Sequence, residues 1–378
     1  MNQSQSMSDT LKQDFCLADG TYLLSHSVGR PLISAQQAFG EAFWAPWQQS
    51  NIEPWQQWLA IITDFQHALA RLFHHQADAF CPQVNLSSGL TKLVMSIPRL
   101  QRRNSVILMS EIDFPSMGFA IKKAIPDCEI RFIPKQLDIT NEAVWQSHIN
   151  EDVDLVFISH VYSNTGQQAP IRHIINHAKL QGCLSLIDVA QSAGIIPINL
   201  SELNPDFMIG SSVKWLCSGP GAAYLWINPW QLENCRPQDV GWFSHENPFE
   251  FDIHHFSYHP SALRFWGGTP SIAPYAIATN SLQYFHRIGI EHLRQHNQQM
   301  IQKLTKALVD FTVSPRDASR QSATVILDFG ARQQHIMTML KKHNISVDAR
   351  NMGIRVSPHI YTDADDIHTF IDRIQAEY

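Results

Sequence analysis

The chain has 378 residues, with 28 Lys and Arg against 34 Asp and Glu, a formal charge of −6 and 44% hydrophobic residues. That length exceeds one compact core and suits two domains, and the mild acidity argues against a nucleic acid or an anionic membrane as partner. No apolar run reaches the roughly 20 residues of a membrane span, and the polar start MNQSQSMSDTLKQD lacks the apolar stretch of a secretory signal, so a cytoplasmic protein is expected. The six cysteines, at 16, 81, 128, 183, 217 and 235, stand singly, as reduced thiols do. The 19 histidines include the pairs His74–His75 and His254–His255, which share no helix face, and no H-E-x-x-H run occurs. No metal site is expected.

In chain order, residues 53–80 carry apolar residues at helical spacing. The serines of "NLSSGLTKLVMSIPR" open a second helical pattern, which Pro98 ends. Short apolar runs at 105–110, 129–134 and 153–160 read as buried strands. A helix over 171–182 stops at Gly182, and strands follow at 183–188, 206–212 and 222–228. Alternating strands and helices predict an α/β fold with a mostly parallel sheet, where ligands sit at the carboxyl ends of strands. Beyond residue 270, helical patterns at 271–288 and 290–311 precede a strand at 323–329 and a helix at 331–343. Short strands near 345–348 and 354–357 and a helix from 363 close the chain. The expected division is an N-terminal segment (1–50) contributing to the small domain and active site, a large domain (51–270) and a small C-terminal α+β domain (271–378).

The stretch "GSSVKWLCSGPGAAYLW" (210–226) sets one lysine among small, apolar and aromatic residues. A lysine in a partly dry pocket has its pKa lowered and becomes a nucleophile toward aldehydes, which is what a Schiff base with pyridoxal phosphate (PLP) needs. Asp188 ends the preceding strand, where a carboxylate keeps a pyridine nitrogen protonated. Ser87 and Ser88 start a helix, a place that favours a phosphate, and Ser211 adds a donor. Phe114, in "DFPS", is placed to stack on the ring. Each residue alone has an ordinary explanation: surface lysine, turn aspartate, helix-cap serine, core phenylalanine. Their joint order is far more specific.

That order resembles the class V aminotransferase group of fold-type I PLP-dependent enzymes. The resemblance rests on "SHVYSNTGQ" (159–167), "LIDVAQSAGIIPINL" (186–200), "DFMIGSSVKWLCSGPGAAYLW" (206–226), "FWGGTPS" (265–271) and "GIRVSPHIY" (353–361). It implies a large domain with a seven-stranded-type sheet between helices. It also implies that Lys214 carries the Schiff base, that Asp188 pairs with the pyridine nitrogen, and that Gln191 and Asn164 bond the ring's phenolic oxygen. Ser87, Ser88 and Ser211 would hold the phosphate. Thr269 would reach the phosphate of a neighbouring subunit, making a homodimer with sites at its interface. Arg355 would grip the carboxylate of an amino-acid substrate.

Within the group, "GWFSH" followed by "PFEF", "DFPS" and "YLLSHSVGRP" (22–31) resemble kynureninases, which hydrolyse a Cβ–Cγ bond. The resemblance makes Trp242, His245 and His26 candidates for the substrate pocket. Three positions depart from that pattern: Val213 stands where kynureninases have a tyrosine, Thr269 where they have an asparagine, and Gln191 where they have a histidine. They look more like cysteine desulfurases and selenocysteine lyases. No cysteine follows Cys235, which argues against persulfide chemistry near the carboxylate arginine. A kynureninase-like lyase or hydrolase is the leading expectation. Amino transfer, C–S or C–Se lysis and epimerisation are the alternatives, and a non-enzymatic binding protein comes last.

Overall fold

The computed structural model describes residues 11–49 and 51–378. Its strands are β1 (Thr21–Tyr22), β2 (Phe80–Gln83), β3 (Val106–Ser110), β4 (Glu129–Ile133), β5 (Leu155–Ser159) and β6 (Leu184–Asp188). They continue with β7 (Phe207–Ser211), β8 (Ala223–Ile227), β9 (Val325–Leu327), β10 (Ile345–Ser346), β11 (Asp348–Arg350) and β12 (Gly353–Val356). The helices of ten or more residues are α1 (Trp55–Phe73), α2 (Leu86–Ser96), α3 (Pro115–Ala124) and α4 (Ile171–Leu180) in the first part. In the second part they are α5 (Ala273–Ile288), α6 (Ile290–Ala307), α7 (Gln333–Lys342) and α8 (Ala364–Gln375).

Seven strands form one sheet in the order β2-β8-β7-β6-β5-β3-β4. β4, β3, β5, β6 and β7 run parallel, and β8 is antiparallel to both β7 and β2. The sheet is a sandwich filling because its central strands are apolar on both sides: Leu155–Ser159 is buried at all five positions, whereas the edge strand β4 is partly exposed. Alternation along each strand feeds two cores. Leu108, Val156 and Ile187 pack with Phe65 of α1, Ile174 of α4 and Leu282 of α5. Ile107, Phe157 and Leu186 pack with Leu93 of α2 and Ile121 of α3.

The expected helix over 53–80 is shorter in the structure. It stops at Phe73 because His74 turns left-handed at φ 55°; a 3-10 turn at Ala77–Ala79 follows, and Phe80 already opens the edge strand β2. Pro82 is tolerated there because β2 pairs on one side only.

A third core joins β9 and β12 to α6, α7 and α8 through residues such as Ile301, Leu340 and Phe370. Here β11-β12-β9 make a small antiparallel sheet. The N-terminal segment is tied to this part. β1 pairs with β10, Leu23 enters the third core, and Lys12 bridges Asp363 and Asp366 at 2.6 and 2.7 Å. Those two carboxylates form the capping box that starts α8.

Candidate active site

Strands β5, β6 and β7 end side by side at Ser159, Asp188 and Ser211, and all three residues line a cavity of about 170 Å³. Ser87, Phe114 and Lys214 line it as well. Lys214 follows β7 in a turn that Ser212 closes by donating from its N–H and Oγ to the Ala222 carbonyl, at 3.0 and 2.9 Å. Gly29 lies against this turn: its N–H donates to the Val213 carbonyl at 2.9 Å, and a Cβ there would come within 2.1 Å of the Lys214 carbonyl oxygen. Residues 24–30 are thereby pressed onto the lysine loop.

Lys214 is half-buried, and its Nζ has no hydrogen-bond partner among the described residues. Burial lowers its pKa to about 8; Asp188 opposes this, and Arg355 and Arg350 add to it. Asp188 Oδ1 accepts the Ala190 N–H at 2.8 Å, whereas Oδ2 has no partner among the described residues. Burial raises the Asp188 pKa, partly offset by the Ala190 N–H and by Lys214. Behind it, Asp113 accepts from Ser159 Oγ at 2.7 Å and from the Ser110 N–H at 2.8 Å. Burial pushes Asp113 up to about 7.

These features fit PLP. Phe114 is 43% exposed and lines the cavity, offering an apolar face that a stacked ring would cover. Asp188 Oδ2 is a free acceptor for a pyridinium N–H, and Lys214 Nζ is a free amine. At the start of α2, Asn85 accepts the Ser88 N–H at 2.8 Å, while the N–H groups of Leu86 and Ser87 precede any intrahelical acceptor. Ser88 itself is not on the cavity lining, so the structure separates it from Ser87. Gln191 lines the cavity and donates through Nε2 to the His26 carbonyl at 3.1 Å, which leaves its Oε1 available. Asn164 faces elsewhere, accepting from Arg350 at 2.8 Å, and its neighbour Ser163 takes the place on the cavity wall.

The small sheet borders the cavity at its mouth without contributing to the lining: Arg355 bonds the Ser163 carbonyl on the wall, and the charges of Arg355 and Arg350 are felt at Lys214. Across the β11–β12 pair Asp348 stands opposite Arg355. Arg355 is almost fully buried; its Nε donates to Asp348 Oδ1 at 2.8 Å, one terminal nitrogen donates to Oδ2, and the other donates to the Ser163 carbonyl at 3.1 Å. His26 Nε2 reaches the same Asp348 Oδ1 at 2.9 Å, and its Nδ1 reaches Ser357 Oγ at 2.6 Å. The His26 and Arg355 bonds overcome burial and hold Asp348 well below the usual carboxylate range. Burial lowers the His26 pKa despite Asp348.

Three further residues belong to this neighbourhood and were not singled out from the sequence. Tyr162 lines the cavity, and its buried hydroxyl makes no hydrogen bond of normal geometry among the described residues. Arg350 lies over Phe114 at 5.8 Å, and its Nε and one terminal nitrogen have no acceptor among the described residues. Asp348 orients Arg355. Tyr162 sits three residues past the end of β5, a position the strand-end argument covers; the other two sit on a hairpin whose pairing the sequence did not give.

Thr269 is exposed and off the cavity lining. Trp242 packs in an aromatic cluster with Trp55, Phe243 and Phe249, at 5.8, 4.5 and 5.6 Å. Both nitrogens of His245 are engaged, by Glu250 at 2.7 Å and by Ser257 at 2.9 Å. None of these three lines the cavity of its own chain.

The chain resembles known proteins along most of its length. The sequence model of the family described as aminotransferase class-V matches residues 85–370. An uncharacterized aminotransferase, YcbU, of Bacillus subtilis is 24% identical over 318 residues, 83% of this chain and 84% of that protein. The kynureninase of Shouchella clausii is 28% identical over 364 residues, 90% of this chain and 84% of that one. Among solved structures, the apo cysteine desulfurase of Thermococcus onnurineus superposes with a TM-score of 0.88 at 18% identity, covering 99% of this chain and 98% of that one.

Proposed function

We propose that this chain, which belongs to the class-V aminotransferase family and is a PLP-dependent enzyme, cleaves a carbon–carbon bond in an amino acid as kynureninases do. The observation that carries the reading is one cavity holding a Lys214 amine and an Asp188 oxygen that have no hydrogen-bond partner among the described residues, with Arg355 just outside the lining, bonded to the Ser163 carbonyl on the wall. The match to a kynureninase across 90% of the chain supports the choice of reaction.

When bound, PLP supplies an aldehyde for amines and a ring that accepts an electron pair. The residues supply the rest. With its pKa near 8, Lys214 is neutral in roughly a tenth of molecules at pH 7, which makes it a usable nucleophile and, once released, a base for a proton on the substrate's α-carbon. Asp188 presents an anionic oxygen that favours a cationic ring nitrogen. Ser87, Ser211 and the start of α2 offer donors to a phosphate. Arg355, held in one orientation by Asp348, presents its remaining N–H groups to a substrate carboxylate. Residues 24–30 cover the lysine turn and exclude water from that side.

Thr269 and Trp242 sit away from their own cavity. In a two-fold homodimer they would serve the partner's site, and a monomer in solution with full PLP occupancy would contradict that arrangement. The enzyme is taken to work in the cytoplasm. Borohydride treatment of the PLP-loaded protein should fix the coenzyme on Lys214; fixation elsewhere, or none, defeats the cofactor assignment. Incubation with kynurenine or 3-hydroxykynurenine should release an anthranilate; absence of product with no change in the cofactor spectrum defeats the reaction. A second reading is amino transfer, C–S or C–Se lysis, or epimerisation. Val213 favours it, since valine brings no proton-carrying group to the cavity wall beside Lys214. Screening amino acids for keto-acid, sulfide or alanine release separates the two.

A further inference from the structure

Away from the cavity, the chain after Trp242 folds back so that His245 bridges to Tyr258, and the turn brings His245, Glu250 and His255 together. Their ligand atoms all lie within 4.8 Å of one another. His245 Nε2 is 2.7 Å from Glu250 Oε2, and His255 Nδ1 is 3.1 and 3.2 Å from the two carboxylate oxygens. The two rings stand perpendicular, 5.5 Å apart.

The far nitrogens of both rings are held by one residue. His245 Nδ1 lies 2.9 Å from the Ser257 carbonyl, and His255 Nε2 lies 3.3 Å from Ser257 Oγ. With N–H on those outer nitrogens, both inner nitrogens turn lone pairs toward Glu250. The Ser257 N–H also approaches His245 Nδ1 at 3.0 Å, so the tautomer depends on what Nε2 meets, and a cation there selects the outer N–H. Metal-binding histidines ordinarily donate their other N–H to an oxygen in this way.

We propose that His245, Glu250 and His255 bind a divalent transition cation of the zinc class, which clamps the 245–257 loop. Two imidazoles and one carboxylate suit such an ion better than magnesium or calcium, which prefer oxygen alone. Zinc-type bonds of about 2.0–2.1 Å need only small shifts from the present contacts. His245 is buried while Glu250 and His255 are exposed, so the ion enters from solvent and keeps a position for water. The H-x4-E-x4-H spacing follows neither a helix face nor a strand face, and only the fold-back unites it.

The test uses the holoenzyme, stripped with a chelator and titrated with Co²⁺. One ion per chain, with visible ligand-field bands beyond the cofactor's absorption, is expected. Glu250→Gln and His255→Gln should each weaken binding at least tenfold, and His254→Gln, in the same loop but outside the cluster, should not. No binding by the wild type, or equal binding by the Glu250 and His255 variants, overturns the proposal. Zn²⁺ should also protect the wild-type loop from proteolysis, and unchanged cleavage overturns it without recourse to any variant.

Discussion

The floor of the cavity is made from strand ends, and its mouth from a hairpin and an N-terminal segment. On the floor, Asp188 and Ser211 are the last residues of β6 and β7, fixed by a sheet buried on both faces. At the mouth, Asp348, Arg350 and Arg355 come from the small sheet, and His26 comes from beyond β1. The floor works by desolvation: Asp188 goes up and Lys214 goes down because water is scarce. The mouth works by pairing: Asp348 goes down because His26 and the Arg355 guanidinium both hydrogen-bond to it. The first arrangement suits generic cofactor chemistry, and the second suits choice of substrate.

The sharpest way to break this contrast is Lys214→Ala. Activity should fall by at least four orders of magnitude, with PLP retained only non-covalently, as read by turnover and by loss of borohydride fixation. A milder version uses pH. The rate at which the apoprotein captures PLP should rise with pH and level off above about 8. Stability should follow a related course. Because the folded value lies below the ordinary 10.5, the unfolded chain binds more protons between about 8 and 10.5, so apoprotein stability gains with rising pH there. Lys214→Met should flatten that gain in denaturant titrations.

Next in size is Gly29→Ala. A methyl group 2.1 Å from the Lys214 carbonyl oxygen and 2.5 Å from Cys217 Sγ must displace the N-terminal segment or the lysine turn. A loss of about 1–3 kcal/mol is expected, with PLP affinity falling alongside it. Full affinity in this variant would mean that the mouth does not support the floor.

How much of this was legible in the sequence follows the same division. The apolar runs at 105–110, 153–160 and 183–188 stand out because a strand buried on both faces can contain little else, so β3, β5, β6 and their carboxyl ends were placed to within a few residues. Lys214 stood out because lysine is rare in such company. The mouth was harder. Arg355 came through family resemblance, but its partner Asp348 depends on the register of a hairpin that no local spacing encodes. Asn164 was expected on the cavity wall, whereas a one-residue difference in a turn gives that wall to Ser163 and sends Asn164 to Arg350. The helix expected to run to residue 80 hid β2, because apolar spacing alone does not reveal a left-handed residue such as His74.

Asp348→Asn probes the mouth by itself. It removes the charge that orients Arg355 and anchors His26 but leaves the cavity floor intact. KM for an amino-acid substrate should rise about tenfold, roughly 1.4 kcal/mol of binding, with covalent capture of PLP unchanged. A fall in PLP capture instead would show that the two regions act as one unit.

The smallest expected effect belongs to Tyr162→Phe. The hydroxyl is buried, makes no hydrogen bond of normal geometry among the described residues although Ser110 lies near it, and sits where Asp113 and Asp188 lend negative charge. An unpaired buried hydroxyl costs stability, so its removal from the apoprotein should leave the melting temperature unchanged or raise it slightly. If the hydroxyl instead finds its partner in the bound cofactor or substrate, the holoenzyme should lose affinity a few-fold while the apoprotein does not. That pattern would place Tyr162 with the floor. Equal effects on both forms would make it simply part of the packing beneath the cavity.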